Sequence, residues 1–172
     1  MKVEFQFKKE LELLYSAKEE DVLLTIQKLR NSGDITIVFH LLKLYQHTQS
    51  ETIKNHVYNF LKDISTPKVV PVLVQAIADP EFEDIKGMLV SVCWQLPHNF
   101  SDHITFFSDL VISSDYQTAI DAFTVVEESA MNISVDHARA ESKRIKKVYP
   151  DVSEEKKPLV KELIVLFENY IS

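Results

Sequence analysis

The residues of this chain that are capable of chemistry are scattered rather than assembled. Six histidines occur, His40, His47, His56, His98, His103 and His137, and none belongs to an HExxH pattern. His98 and His103 stand five apart across a predicted turn, but no cysteine beside them completes a zinc set. A solvated or capping pair is expected there. The single cysteine, Cys93, falls on an apolar helical stripe. A reactive thiolate needs exposure and neighbouring positive charge, so a buried structural thiol is expected. The acidic run Asp79-Pro80-Glu81-Phe82-Glu83-Asp84 lacks the glycine and the alternating ligand spacing of a calcium loop. Carboxylates at a helix start are stabilised by the helix dipole without any cation. Arg139, Lys143 and Lys147 recur every four residues on one helical face, with Arg144 and Lys146 beside them. Asp136 and Glu141 partly neutralise that face, which reads as a solvated surface. These patterns assign no catalytic residue, no metal ligand and no cofactor.

The elements that would position any site are helical. The chain of 172 residues contains only two glycines, Gly33 and Gly87, and is 45% hydrophobic. So few glycines fit badly with hairpins or phosphate loops and well with helices joined by short turns. Ser16-Ala17-Lys18-Glu19 has the form of a capping box. Asp34, Ser50, Ser101 and Ser114 each precede an amphipathic run, as N-cap residues do. Pro67 and Pro80 suit first helical positions, and Gly33 suits a left-handed C-terminal cap. These marks predict ten helices, over 5–15, 19–31, 35–47, 51–63, 67–78, 81–95, 102–112, 115–128, 132–148 and 155–171. The opening Val3-Glu4-Phe5-Gln6-Phe7 alternates like a strand but reads as a frayed helix start.

The second helix of each predicted pair repeats one pattern. Val22, Ile53, Ile85 and Ala119 begin it; Ile26, Val57, Leu89 and Phe123 follow four residues later; Leu29, Phe60, Val92 and Val126 follow seven later. Positions zero, four and seven make one apolar stripe, and the period is the length of a two-helix repeat. Two copies match more closely. Glu51-Thr52-Ile53-Lys54 with Val57 and Leu61 lines up with Glu83-Asp84-Ile85-Lys86 with Leu89 and Cys93. The pattern over 16–128 resembles the HEAT and armadillo helical-repeat family, with Lys54 and Lys86 where the HEAT consensus has arginine. Asp21-Val22 and Thr118-Ala119 lack the basic residue. The resemblance implies an all-α, right-handed α-α superhelix, a solenoid of about five two-helix repeats. One domain over 1–172 is expected, closed by an atypical pair over 131–172. The absence of any His-Glu dipeptide argues against the di-iron hydroxylases built on HEAT-like repeats.

Function is then expected from surface character. In such a solenoid, positions two, five, six and nine of the second helices line the concave side. The expected partner-binding residues there are Asn55, Tyr58 and Lys62; then Val90, Ser91 and Trp94; then Thr124, Val125 and Glu128. Aromatic anchors ringed by polar groups describe a recognition surface. Net charge is +1 over 1–62, −9 over 63–130 and +1 over 131–172. The acidic middle favours a basic protein or peptide and disfavours nucleic acid, which needs clustered cations. The longest apolar run near either end, Leu163 to Phe167, is far short of the ~20 residues that span a membrane. A cytoplasmic scaffold without catalysis is the expected role. The alternatives are a DNA glycosylase or bilin lyase of HEAT-like fold, or a structural module that self-assembles. The broadly apolar final helix, with Leu159, Val160, Leu163, Ile164, Val165, Leu166, Phe167, Tyr170 and Ile171, implies a second contact, either a returning intrachain packing or a symmetric homodimer.

Overall fold

The computed structural model describes residues 8–30 and 34–171. The alternating segment Val3 to Phe7 and the Gly33 cap lie outside the described residues. Among the described residues there are ten α-helices and no strand. They are α1 (Lys8–Leu14), α2 (Glu19–Arg30), α3 (Val38–His47), α4 (Glu51–Lys62) and α5 (Val69–Ala78). Then come α6 (Lys86–Gln95), α7 (Ile104–Ser113), α8 (Tyr116–Ser129), α9 (Val135–Val148) and α10 (Lys157–Asn169). Each expected helix is present. No helix among the described residues is long and apolar enough to cross a membrane.

Local chemistry explains several helix starts. Asp34 accepts from the Thr36 backbone N–H at 2.8 Å, and Ser50 accepts from that of Ile53 at 3.2 Å. Ser16 Oγ accepts from the Lys18 N–H at 3.2 Å and donates to Asp21 rather than forming a box with Glu19. Two expected caps shift by a residue or two. Asp115, not Ser114, caps α8 by accepting from the Thr118 N–H at 3.1 Å. Ser101 is itself capped, its N–H donating to Asn99 Oδ1 at 2.8 Å. In each case a carboxylate or amide oxygen reaches the free N–H where the expected serine does not take it. The helix expected over 81–95 is divided. Pro80–Ile85 is a 3-10 stretch, in which Phe82 leaves helical geometry at φ −109°, ψ 19°. That departure accompanies burial of the Phe82 ring, whose centroid lies 6.0 Å from that of Phe39.

The chain divides into two compact units, Met1–Ile85 and Lys86–Ser172. In the first, α1 packs on α2, α2 on α4 and α3 on α4, while the 3-10 stretch packs on α3 and α5. Lys43 pairs with Glu81 at 3.0 Å, and Gln46 Nε2 donates to the Glu81 carbonyl and to Asp84 Oδ1. The acidic run of 79–84 is thereby tied into the unit: Asp79 Oδ1 accepts from the Glu81 N–H at 2.9 Å.

In the second unit α8 is central. It packs against α6, α7 and α10, and α10 also packs against α7 and α9. Lys156 Nζ donates to the Ile112 and Ser114 carbonyls, so a cation satisfies the last carbonyls of α7. The apolar circumference of α10 is largely used within the chain. Val160, Leu163, Ile164 and Phe167 are buried, and Val165 is its one exposed large hydrophobic residue.

Of the twelve residues in the repeated stripe, eleven are buried. The exception is Phe123, which is half-buried. Along α8 the buried line runs instead through Thr118, Ala119, Ala122, Val125, Val126 and Ser129. A helix gripped by three neighbours buries a wider arc than a two-sided stripe, and the small residues Ala119 and Ala122 take the closest approach.

Candidate functional site

Trp94 lies in the last turn of α6 and is 42% exposed, the exposure of an anchor rather than of a core residue. The indole lies close enough to act on the carboxylate of Asp121 on α8, to which Gln117 Nε2 donates at 3.4 Å. Partial burial pushes the Asp121 carboxyl above its ordinary value, and the neighbouring Gln117 and Trp94 only partly offset that.

Beside the indole is a pocket of about 240 Å³. Its floor is Cys93, Leu96, Phe100, Val125 and Ser129, all buried; Trp94, Pro97, Asn99, Glu128 and Asn132 stand exposed around it, with His98 half-buried. The segment after α6 forms one wall. Pro97 cannot prolong the helix, and Phe100 folds back to place its ring edge-on to Phe107, centroids 5.4 Å apart. The Phe100 N–H donates to Ser129 Oγ at 3.1 Å, which locks this wall to the end of α8. Burial raises the Cys93 thiol well above its normal range, so it contributes shape and no nucleophile.

The expected partner-binding residues divide into two groups. Trp94, Val125 and Glu128 meet at the pocket. Ser91 accepts from Gln95 Nε2 through its carbonyl at 2.8 Å, and Thr124 donates to the Ile120 carbonyl at 3.2 Å. Asn55, Tyr58 and Lys62 belong to the first unit, where Asn55 is exposed and the Lys62 ammonium lies 4.8 Å from the Tyr58 ring centroid. Neither Val90 nor Val125 offers an open surface, contrary to expectation: Val90 is 0% exposed and Val125 1%. The reason is packing. Positions two, five and nine of α6 (Gly87, Val90 and Trp94) lie on the face turned to α8. A Cβ on Gly87 would stand 3.0 Å from Thr118 Oγ1, and Trp94 reaches Asp121 one turn further on. What was expected to be a surface stripe is therefore a helix–helix contact, and only its Trp94 end emerges into solvent.

Sequence reading offered packing of Trp94 on the 95–100 connection, which supplies His98 and Asn99, but missed Asn132, because which distant segment meets the loop is set by tertiary contacts. Pro97 marked only where α6 must end. It also missed a polar cluster on α7 and α9. Glu141, only 4% exposed, accepts from Arg144 through both carboxylate oxygens and from Thr105 Oγ1 at 2.7 Å, while Arg144 also pairs with Asp109. Burial alone would lower the Arg144 pKa, but hydrogen bonds and charge from Glu141 and Asp109 outweigh it and raise the value. The expected cationic face, Arg139, Lys143 and Lys147, is exposed together with Lys146, and only the adjacent Arg144 turns partly inward. Arg139 and Lys146, which line an open groove of about 580 Å³ with Lys143, pair with Asp136 and Glu168.

Among the described residues no group of three or more His, Cys, Asp or Glu side chains is placed to hold a metal ion. No family model matches the chain, and no curated protein and no solved structure matches it either.

Proposed function

We propose that this chain is a protein- or peptide-binding scaffold without catalytic activity, a HEAT- or armadillo-type right-handed solenoid of about five two-helix repeats. Support for the solenoid comes from the period of the stripe in the sequence and the burial of eleven of its twelve positions. Within the units, second helices of neighbouring pairs touch, α2 with α4 and α6 with α8. The observation that carries the binding role is the exposed Trp94 indole beside a pocket with an apolar floor and a polar rim. Tryptophan joins a large apolar area to a polar tip and dominates interface energetics when it is covered. The acidic stretch over 63–130 favours a basic partner and speeds encounter at low salt.

The test is selection of binders from a random peptide library on the immobilised protein, followed by titration of the selected peptides. Trp94→Ala is expected to weaken them by about 2 kcal/mol or more, with the helical circular dichroism retained. Selected peptides that bind the variant as tightly as the parent would place the docking surface elsewhere.

A further inference from the structure

Resting on that reading of the Trp94 pocket, we infer that the side chain it receives is the guanidinium of an arginine in a basic segment of the partner. Asp121, Val125 and Glu128 lie at i, i+4 and i+7 of α8, so they share one face, and Trp94 lies against it, close to Asp121 and lining the pocket with Val125 and Glu128. An exposed indole is therefore flanked by a carboxylate at each end over a run of about 10 Å.

Among the described residues, no cation is found acting on the Asp121 carboxylate. The groups that act on it are Gln117, Trp94 and the like-charged Asp115, and its desolvation goes unanswered by positive charge. No Lys or Arg stands among the described residues that line the pocket. A ligand cation would meet three needs together. It would neutralise the partly buried carboxylate, stack on the indole face, and lay its methylenes on the exposed Pro97 at the pocket rim.

Guanidinium suits the site better than ammonium for two physical reasons. It is planar and weakly hydrated, so it stacks on an indole at small desolvation cost, and its forked N–H groups match a carboxylate edge while the ring is covered. The indole stands at the end of α6 with its neighbour Leu96 buried, so the backbone that carries it is held before any ligand arrives. A preorganised aromatic loses little entropy on binding.

Trp94 is the only tryptophan in the chain, so its fluorescence and its single indole N–H resonance report on this site alone. The probes are acetyl-Gly-Arg-Leu-Arg-Gly-amide and the same peptide with citrulline in place of both arginines, which keeps the shape and removes the charge. The arginine peptide is expected to shift the Trp94 signals saturably, roughly tenfold more tightly than the citrulline peptide. Glu128→Gln, at an exposed position, is expected to reduce that ratio several-fold while leaving the melting temperature unchanged. Equal binding of the two peptides would overturn the arginine assignment and leave the docking site standing. Failure of both peptides, with library-selected neutral peptides still moving the Trp94 signals, would do the same. If no peptide of any kind moves them, the docking reading fails as well.

Discussion

Glu141 presents both carboxylate oxygens to Arg144, one turn further along α9, while remaining almost wholly buried itself. Thr105 and Asp109 complete the cluster from α7. Removing one member of such a set leaves the others desolvated and unpaired, which costs more than the pair contributes. Glu141→Ala is expected to destabilise the protein by roughly 1–3 kcal/mol, and Glu141→Gln by less, because the amide oxygen still accepts from Thr105. Denaturant titration of both variants checks the order; an Ala variant as stable as the parent would show that the cluster is dispensable.

Gly87 should resist a substitution that normally stabilises helices. Replacing a helix-interior glycine with alanine gains up to about 1 kcal/mol from propensity alone, and a first-turn glycine such as Gly87 somewhat less. Here the new methyl would stand 3.0 Å from Thr118 Oγ1, a hydroxyl already held by Asp115 at 2.6 Å. Crowding offsets the propensity gain. Gly87→Ala is expected to leave the melting temperature unchanged or lower it, and a clear rise would mean that α6 and α8 separate easily.

Leu89 and Phe123 hold equivalent places in the repeat but not in the core. Leu89 is fully buried and Phe123 only half-buried. Leu89→Ala is expected to cost about 2–5 kcal/mol, the usual range for a buried leucine. Phe123→Ala should cost clearly less, although it removes the larger side chain. Equal losses in chemical denaturation would contradict the burial found along α8.

Two carboxylates on either side of the first turns of α8 should respond to pH with opposite sign. Asp115 is held below its ordinary value by hydrogen bonds from the Thr118 hydroxyl and N–H. Its contribution is present above the unfolded carboxyl pKa and is lost as pH falls through the folded value. Asp115→Ala should therefore cost about 1 kcal/mol near neutral pH, as cap losses do, and less in acid. Asp121 is raised by burial, so the folded state holds its proton longer than the unfolded state. Stability from this group falls as pH rises from the unfolded to the folded value. Asp121→Asn is then expected to match or exceed the parent's stability at pH 7, with the difference disappearing at pH 3. Thermal melts at the two pH values decide it.

The sequence by itself determined the helices, their near-equal repeat and the buried stripe. Those features depend on local spacing: apolar residues at zero, four and seven define a face wherever the helix goes, and Asp34 and Ser50 mark starts through their own backbone contacts. It also determined that Cys93 faces inward and that Trp94 stands at a helix end. Tertiary structure decided how many neighbours each helix has. Position five of α6 is Val90, and it is core rather than surface because α8 lies against the Gly87 flank, a relation between residues some thirty apart that no periodicity encodes. The pocket is likewise a tertiary product. Its walls are the returning loop through His98 and Asn99 and the end of α8, joined by the Phe100 N–H on Ser129, and only long-range packing brings those segments to Trp94.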